Sequence, residues 1–329
     1  MRPFEYVAPF TLSEALSLLS PTWGETDILA GGTDLITLMK QGIHNPKRIV
    51  SLKNIKDLSR IDRVDGGLLI GAKVTLHQLG DNIPVRVEYA AIHQAAVGVK
   101  SLQMRAMGTV GGDLLQRPRC WYFRNGFGLL GRDPKGNPMA PNGENQFHAI
   151  LGNTGPASFV NVSSLAPALI ALRAKVKVAS ATGDRELDVE QLYRTPVAEN
   201  ERELTLSSNE ILTHIFIPSA NRARSATYEV RNRQGLDWPL AAASVSLRMR
   251  GDTVESATIA LGHVAPIPWR SPEAERVLTN KVITEAVALA AGDAAVAMAA
   301  PLSRNAYKVQ LARVAVKRAI LAAAGKLPG

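Results

Sequence analysis

Two pairs of adjacent glycines are the residues of this sequence best suited to binding an anion. Gly31-Gly32 stands within residues 30–35, and Gly111-Gly112 within residues 109–113. Glycine lets the backbone approach a ligand closely because it has no Cβ. Successive free N–H groups in such a turn form a concave anion site. Two turns that converge would therefore suit the two negative phosphates of a diphosphate.

The neighbours of the first pair strengthen this interpretation. Thr33 adds a hydroxyl donor, and a helix starting at Leu35 would direct its positive end toward the same place. Neither pair belongs to a G-x-G-x-x-G or a G-x-x-x-x-G-K-[ST] motif, so a doubly wound dinucleotide fold and a P-loop are not indicated. For either pair alone, a tight turn without a ligand remains the alternative.

The composition predicts a globular protein of two or three domains. The chain has 329 residues, of which 46% are hydrophobic and 20% charged. Its net charge of +9 could attract nucleic acid, acidic lipid or a phosphate-bearing cofactor, but no block of like charges is present. A single cysteine, Cys120, excludes an internal disulfide and favours a reducing compartment. We find no signal peptide and no apolar stretch suited to a membrane span.

The elements that position the glycine pairs fall into three sections. Residues 1–56 are predicted to form a compact α/β unit, with a capping box at Thr11 and Glu14. Residues 57–179 form a second unit of strands and helices. Residues 180–329 combine alternating strand patterns with Ala-rich helices. The predicted fold class is therefore α+β, or mixed α/β.

A long loop, about residues 117–146, is predicted as an insertion in the second section. It is rich in Arg, Gly, Pro and Asn, and it shows neither strand nor helix periodicity. A loop of this length is uncommon in a compact domain and usually has a function.

The glycine pairs lie in longer stretches that resemble the medium, FAD-binding subunits of molybdenum hydroxylases. That family includes xanthine dehydrogenase, aldehyde oxidoreductase and carbon monoxide dehydrogenase. The stretches are ILAGGTDL at residues 28–35 and QMRAMGTVGGD at residues 103–113. Further matches, in consistent order, are residues 163–169, residues 210–212 ahead of Ile217-Pro218, and residues 231–233 before Asp237. The resemblance covers essentially the whole chain.

The resemblance implies both a fold and a cofactor site. The fold has two subdomains of the PCMH/vanillyl-alcohol-oxidase type that clasp FAD between them, and then a C-terminal α+β domain of the CO dehydrogenase flavoprotein type. The FAD-binding residues that it implies are Ile28, Leu29, Ala30, Gly31, Gly32, Thr33, Asp34, Leu35, Thr109, Gly111, Gly112, Asp113, Ser164 and Leu212. No catalytic or metal-binding side chain is expected on this chain.

Three features depart from the family pattern. Ser164 stands where the family usually has Asp, and Glu229 where it commonly has Lys, which would change hydrogen bonding and redox tuning near a flavin. Residues 119–124 and 144–152 resemble an insertion of periplasmic-type aldehyde oxidoreductase subunits that in some members holds a [4Fe–4S] cluster. Such a cluster needs four thiolates and only Cys120 is present, so we predict no cluster and a packing or docking role for the loop.

The function that the resemblance implies is electron relay. A large partner subunit would hold the molybdenum cofactor and a small one two [2Fe–2S] clusters. FAD on this chain would pass their electrons to NAD, oxygen or a quinone. We expect a cytoplasmic location, with co-export to the periplasm as the alternative. A stand-alone flavin oxidase or reductase remains open, but no acid/base candidate is evident. A nucleic-acid binder would show a basic stripe, which is absent, so no nucleic-acid partner is expected.

Overall fold

A computed structural model describes residues 1–233 and 236–327 of the chain. Residues 328 and 329, the end of the predicted third section, therefore lie outside the described part. In chain order the strands are β1 (Glu5–Val7), β2 (Thr26–Leu29), β3 (Arg48–Ser51), β4 (Ile61–Val64), β5 (Gly67–Gly71), β6 (Lys175–Ser180), β7 (Gly183–Asp188), β8 (Ile211–Pro218), β9 (Arg224–Val230), β10 (Ala241–Arg250), β11 (Thr253–Gly262) and β12 (Trp269–Arg270). The α-helices are α1 (Leu12–Ser17), α2 (Leu35–Lys40), α3 (Leu76–Asp81), α4 (Ile83–Glu88), α5 (Ala90–Gly98), α6 (Leu102–Met107), α7 (Val110–Leu115), α8 (Trp121–Arg124), α9 (Leu165–Ala171), α10 (Pro272–Leu278), α11 (Glu285–Ala295) and α12 (Tyr307–Ala323).

The first unit is a small parallel sheet in the order β1-β3-β2. Helix α1 begins at the predicted capping box, in which Thr11 and Glu14 bond each other's backbone. This helix buries Ala15 against Val50 and Leu52 at the end of β3. Strand β2 stops at Leu29, so the chain leaves the sheet directly into the first glycine turn.

The second unit is an antiparallel five-stranded sheet in the order β4-β5-β8-β6-β7. Helices α3, α5, α7 and α9 cover its apolar face, where Ile70, Val176 and Ile215 are buried. The predicted boundary after residue 179 falls inside the hairpin of β6 and β7, and the sheet continues to Pro218. Local patterns cannot reveal this because β8 joins the sheet across a long sequence separation.

The third unit is an antiparallel sheet in the order β12-β11-β10-β9, covered by α10, α11 and α12. The strand alternation predicted within residues 180–329 is confirmed, since β10 and β11 lie there. These strands and helices share one apolar core that includes Val245, Ile259 and Ile320. In the described ranges, no helix is both long and apolar enough to cross a membrane.

The long loop at residues 117–146 contains one short helix, α8, and is otherwise built from turns. Its far end is fixed to the third unit by Asn145, which is fully buried. The Asn145 amide donates to Ala140 O at 2.8 Å and to Ser303 Oγ at 2.9 Å. The loop thus has a defined conformation without a regular fold of its own.

Candidate functional site

A cleft lies where the first and second units meet. Its cavity volume is about 210 Å³, and the cleft is otherwise open to solvent. Eleven of the fourteen predicted cofactor-binding residues line it: Ile28, Ala30, Gly31, Gly32, Thr33, Asp34, Leu35, Thr109, Gly111, Gly112 and Leu212. The fold therefore brings together two glycine pairs that are about eighty residues apart in sequence.

The first glycine turn offers free backbone donors to this cleft. Among the described residues, no chain acceptor pairs with the N–H groups of Gly31, Gly32 or Thr33. Gly32 has a φ of +74°, which other residues rarely adopt. A Cβ on Gly31 would lie 1.8 Å from the carbonyl oxygen of Met107. The turn is thus pressed against the segment that precedes the second glycine pair, and its free amides are the kind of donors that the predicted anion site requires.

The second glycine pair differs from the prediction because its amides are already paired. Gly111-Gly112 lies in the first turn of α7, not in an open turn. Gly111 N donates to Ala72 O at 2.8 Å, and Gly112 N donates to Thr109 Oγ1 at 3.1 Å as part of the helix cap. This pair therefore shapes one wall of the cleft, but it does not supply a second set of free donors.

A chain of polar side chains runs along the cleft and connects both units. His44 Nδ1 lies 3.1 Å from Asp27 Oδ2, and His44 Nε2 lies 3.0 Å from Arg117 Nη1. A guanidinium group can only donate, so Nε2 must accept and Nδ1 must carry the hydrogen that bonds Asp27. Arg117 also bonds the buried carboxylate of Glu203. These bonds thereby fix the orientation of the imidazole ring.

A second arginine, Arg202, adds positive charge to the cleft. Its guanidinium lies 3.8 Å from the ring centre of Trp23, and its Nε has no partner in the described part of the chain. Burial, and then the charge of Arg117, lower the pKa of Arg202 to about 10. The group therefore stays charged at neutral pH and can pair with an anionic ligand atom.

Sequence reasoning missed these polar residues. Trp23, His44, Arg117 and Arg202 belong to no motif, and they meet only because the loops after α1, α2, α7 and β7 converge. The cleft is also lined by apolar side chains, namely Leu52, Leu115, Leu204, Leu206, Ile211 and Leu212. A lining that combines leucines with charged groups suits a ligand that has flat aromatic rings and a charged centre.

Three predicted residues, Leu29, Asp113 and Ser164, do not line the cleft. Leu29 closes strand β2, where its carbonyl accepts from Leu52 N at 2.9 Å. Asp113 is buried, and its carboxylate accepts from the backbone of Leu165 at 3.0 Å and from the Ser163 hydroxyl. Burial raises the pKa of Asp113 to about 6. Asp113 thus ties α7 to the start of α9, where Ser164 is also buried.

The departure at Glu229 is balanced inside the chain. Its carboxylate forms an ion pair with Arg231, and both side chains are almost completely buried. Burial raises the pKa of Glu229, and the charges of Arg231 and Lys100 act against this rise. The reversed charge at this position is therefore compensated by neighbouring cations.

The lone cysteine lies outside the cleft. Cys120 Sγ is 3.2 Å from His148 Nε2. Burial raises the pKa of the thiol and lowers that of His148 to about 4, so both groups are neutral at pH 7. In the ranges that the structure describes, no three His, Cys, Asp or Glu side chains are grouped to hold a metal ion.

Comparison with known proteins places the chain in one family. Residues 2–220 match the family described as the FAD binding domain in molybdopterin dehydrogenase, and residues 226–323 match the CO dehydrogenase flavoprotein C-terminal domain. The aldehyde oxidoreductase FAD-binding subunit PaoB of Escherichia coli is 29% identical over 95% of this chain and 96% of its own length. The carbon monoxide dehydrogenase medium chain of Hydrogenophaga pseudoflava is 28% identical over 97% of this chain and 96% of its own.

The fold agrees with these sequence matches. A solved structure of carbon monoxide dehydrogenase from Hydrogenophaga pseudoflava superposes with a TM-score of 0.76, at 26% identity, over 100% of both chains. The first family alone accounts for two thirds of the sequence, and the second follows it directly. The chain therefore belongs to the FAD-binding subunits of molybdopterin dehydrogenases, with the C-terminal domain of CO dehydrogenase flavoproteins.

Proposed function

We propose that this chain binds FAD in the cleft between its first two units and relays electrons within a molybdenum hydroxylase complex. The observation that carries the proposal is the first glycine turn. Gly31, Gly32 and Thr33 have successive N–H groups without an acceptor in the described part of the chain, and they line a cleft that is also lined by several leucines. A diphosphate flanked by flat rings matches this combination.

Each part of the cleft has its own role in this proposal. The amides of the first turn bind the diphosphate, and Arg117 and Arg202 supply positive charge beside it. The leucines exclude water from the rings. Bound FAD supplies electron exchange in steps of one or two, while the chain supplies binding and orientation. The eleven lining residues that the sequence predicts are the proposed contacts, together with Trp23, Arg117 and Arg202.

The partners follow from the relatives. This chain spans nearly the full length of proteins named as the medium chain or FAD-binding subunit of larger enzymes. We therefore propose a large subunit with the molybdenum cofactor and a small subunit with [2Fe–2S] clusters. Electrons would enter from the small subunit and leave to an external acceptor. We propose a cytoplasmic location, consistent with a single free thiol, that of Cys120.

Purification of the tagged chain from its native host tests this function. The expected result is a yellow complex with flavin absorbance, two further subunits, and molybdenum and iron in metal analysis. A chain that purifies alone with FAD and oxidises an organic substrate by itself would instead support the stand-alone oxidase or reductase. Folded chain that stays colourless and takes up no added FAD would refute both functions.

A further inference from the structure

The carboxylate of Asp34, at the end of the first glycine turn, is held by the long loop. Asp34 occupies the N-cap position of α2, where Asp ordinarily accepts a hydrogen bond from the first helical turn, but its side chain makes no such bond. Its Oδ2 accepts from Arg117 N at 2.8 Å, and its Oδ1 accepts from Arg124 Nη2 at 2.8 Å. Arg119 Nη1 lies 3.1 Å from the same Oδ1.

The Arg124 side chain is held in place by contacts other than the one with Asp34. Its Nε donates to Pro118 O at 2.8 Å, its Nη2 donates to Arg117 O at 3.1 Å, and its guanidinium lies 5.7 Å from the ring centre of Phe123. The Arg124 side chain is only 10% exposed, and that of Asp34 only 15%. A charge-assisted bond between two such preorganised and shielded groups is among the stronger interactions in a protein.

We propose that residues 117–124 form a clamp that controls how tightly FAD is held, with Arg124 as its positioning residue. Arg124 holds Asp34, and Asp34 fixes the turn whose free amides bind the diphosphate. The inference rests on the proposed function. It gives the long loop a role in cofactor retention that requires no metal.

The test compares FAD release from the purified, FAD-loaded protein in four forms: wild type, Arg124→Met, Arg124→Lys and the matched control Arg132→Met. Arg132 lies in the same loop but pairs with Glu199 at 3.3 Å, away from the cleft. Flavin fluorescence after dilution gives the release rate. Loss of one charge-assisted bond predicts release about 10-fold to 100-fold faster for Arg124→Met. Arg124→Lys should restore part of the retention, and Arg132→Met should match wild type.

A double-mutant cycle separates the clamp from a general loss of stability. Each single variant, Arg124→Met and Asp34→Asn, speeds release by some factor relative to wild type. If Arg124 acts through Asp34, the double variant should speed release by less than the product of those two factors. Equal release from Arg124→Met and Arg132→Met, or fully multiplicative effects in the cycle, would overturn the clamp while leaving FAD binding intact. Wild-type protein that takes up no FAD would overturn the proposed function itself, and the clamp with it.

Discussion

Substitution of Gly31 by alanine tests whether close contact between the two halves of the cleft creates the cofactor site. The added Cβ would lie 1.8 Å from Met107 O and 2.8 Å from Met107 C. Ordinary van der Waals contact begins near 3.4 Å, so the two backbones must separate by about 3.4 − 1.8 = 1.6 Å along that line. Both partners are backbone, so no side-chain rotation can relieve the clash.

The expected effect on FAD binding follows from this displacement. A shift of that size exceeds the tolerance of an N–H···O bond, whose donor–acceptor distance spans only about 0.5 Å. If two charge-assisted bonds to the diphosphate are lost, at about 1.5 kcal/mol each or more, the affinity for FAD falls by about 100-fold. Overpacking should also lower the free energy of unfolding by about 1–3 kcal/mol.

The assay is FAD titration by flavin fluorescence, with circular dichroism to confirm that the variant is folded. Gly155→Ala is the matched control, because a Cβ there meets nothing within 4 Å and the glycine has no positive φ. It should bind FAD like wild type. A folded Gly31→Ala protein with wild-type affinity would show that the diphosphate does not depend on the geometry of this turn.

Three further predictions concern buried polar side chains of the fold. Thr109→Val removes the acceptor of Gly112 N and should lower the free energy of unfolding, measured with denaturant, by about 1 kcal/mol. Thr109→Ser keeps the hydroxyl and should lose much less. A Thr109→Val protein as stable as wild type would show that the N-cap bond does not stabilise the fold. Burial lowers the pKa of Lys308 to about 7, so the prediction is for about pH 6, where the group is charged. There Lys308→Met should lower the free energy of unfolding by about 3 kcal/mol, because the buried Nζ donates to three carbonyl oxygens. A loss below about 1 kcal/mol would mean that the packing adapts. Burial lowers the pKa of His148 to about 4 in the folded protein, whereas the pKa of an exposed histidine is about 6.5. Between about pH 6.5 and pH 4 the unfolded chain therefore holds more protons at this residue than the folded protein does, and the free energy of unfolding falls as the pH is lowered through this range. His148→Gln should remove up to about 3 kcal/mol of that loss. Protonation of Asp113, whose pKa is raised to about 6, acts in the opposite direction, but it does so in wild type and variant alike. Parallel profiles of unfolding free energy against pH for the two proteins would refute His148 as the cause.

Much of the fold could be predicted because its signals are local. The capping box at Thr11 and Glu14, the alternation in β10 and β11, and the irregular loop at residues 117–146 each depend on a few neighbouring residues. The boundary after residue 179 could not be placed in this way. The strand that completes the second sheet, β8, begins at Ile211, beyond a segment without regular strand structure.

The site shows the same division between local and distant information. The glycine pairs marked the right cleft, but local sequence could not show that α7 had already used the amides of the second pair. Nor could it show that Asp34 would turn away from its own helix toward Arg124. Hydrogen-bond partners are chosen in three dimensions, among groups that folding brings within reach.

By itself, the sequence determined that this protein would have glycine turns able to approach a ligand, three successive units, and one thiol where a cluster would need four. Those properties belong to residue types and short spacings. Only the tertiary structure decided which turn keeps free donors, and it alone brought His44, Arg117 and Arg202 to the same cleft. The physical reason is that an unpaired amide or a buried charge is defined by everything around it, and those surroundings come from segments far apart in the chain.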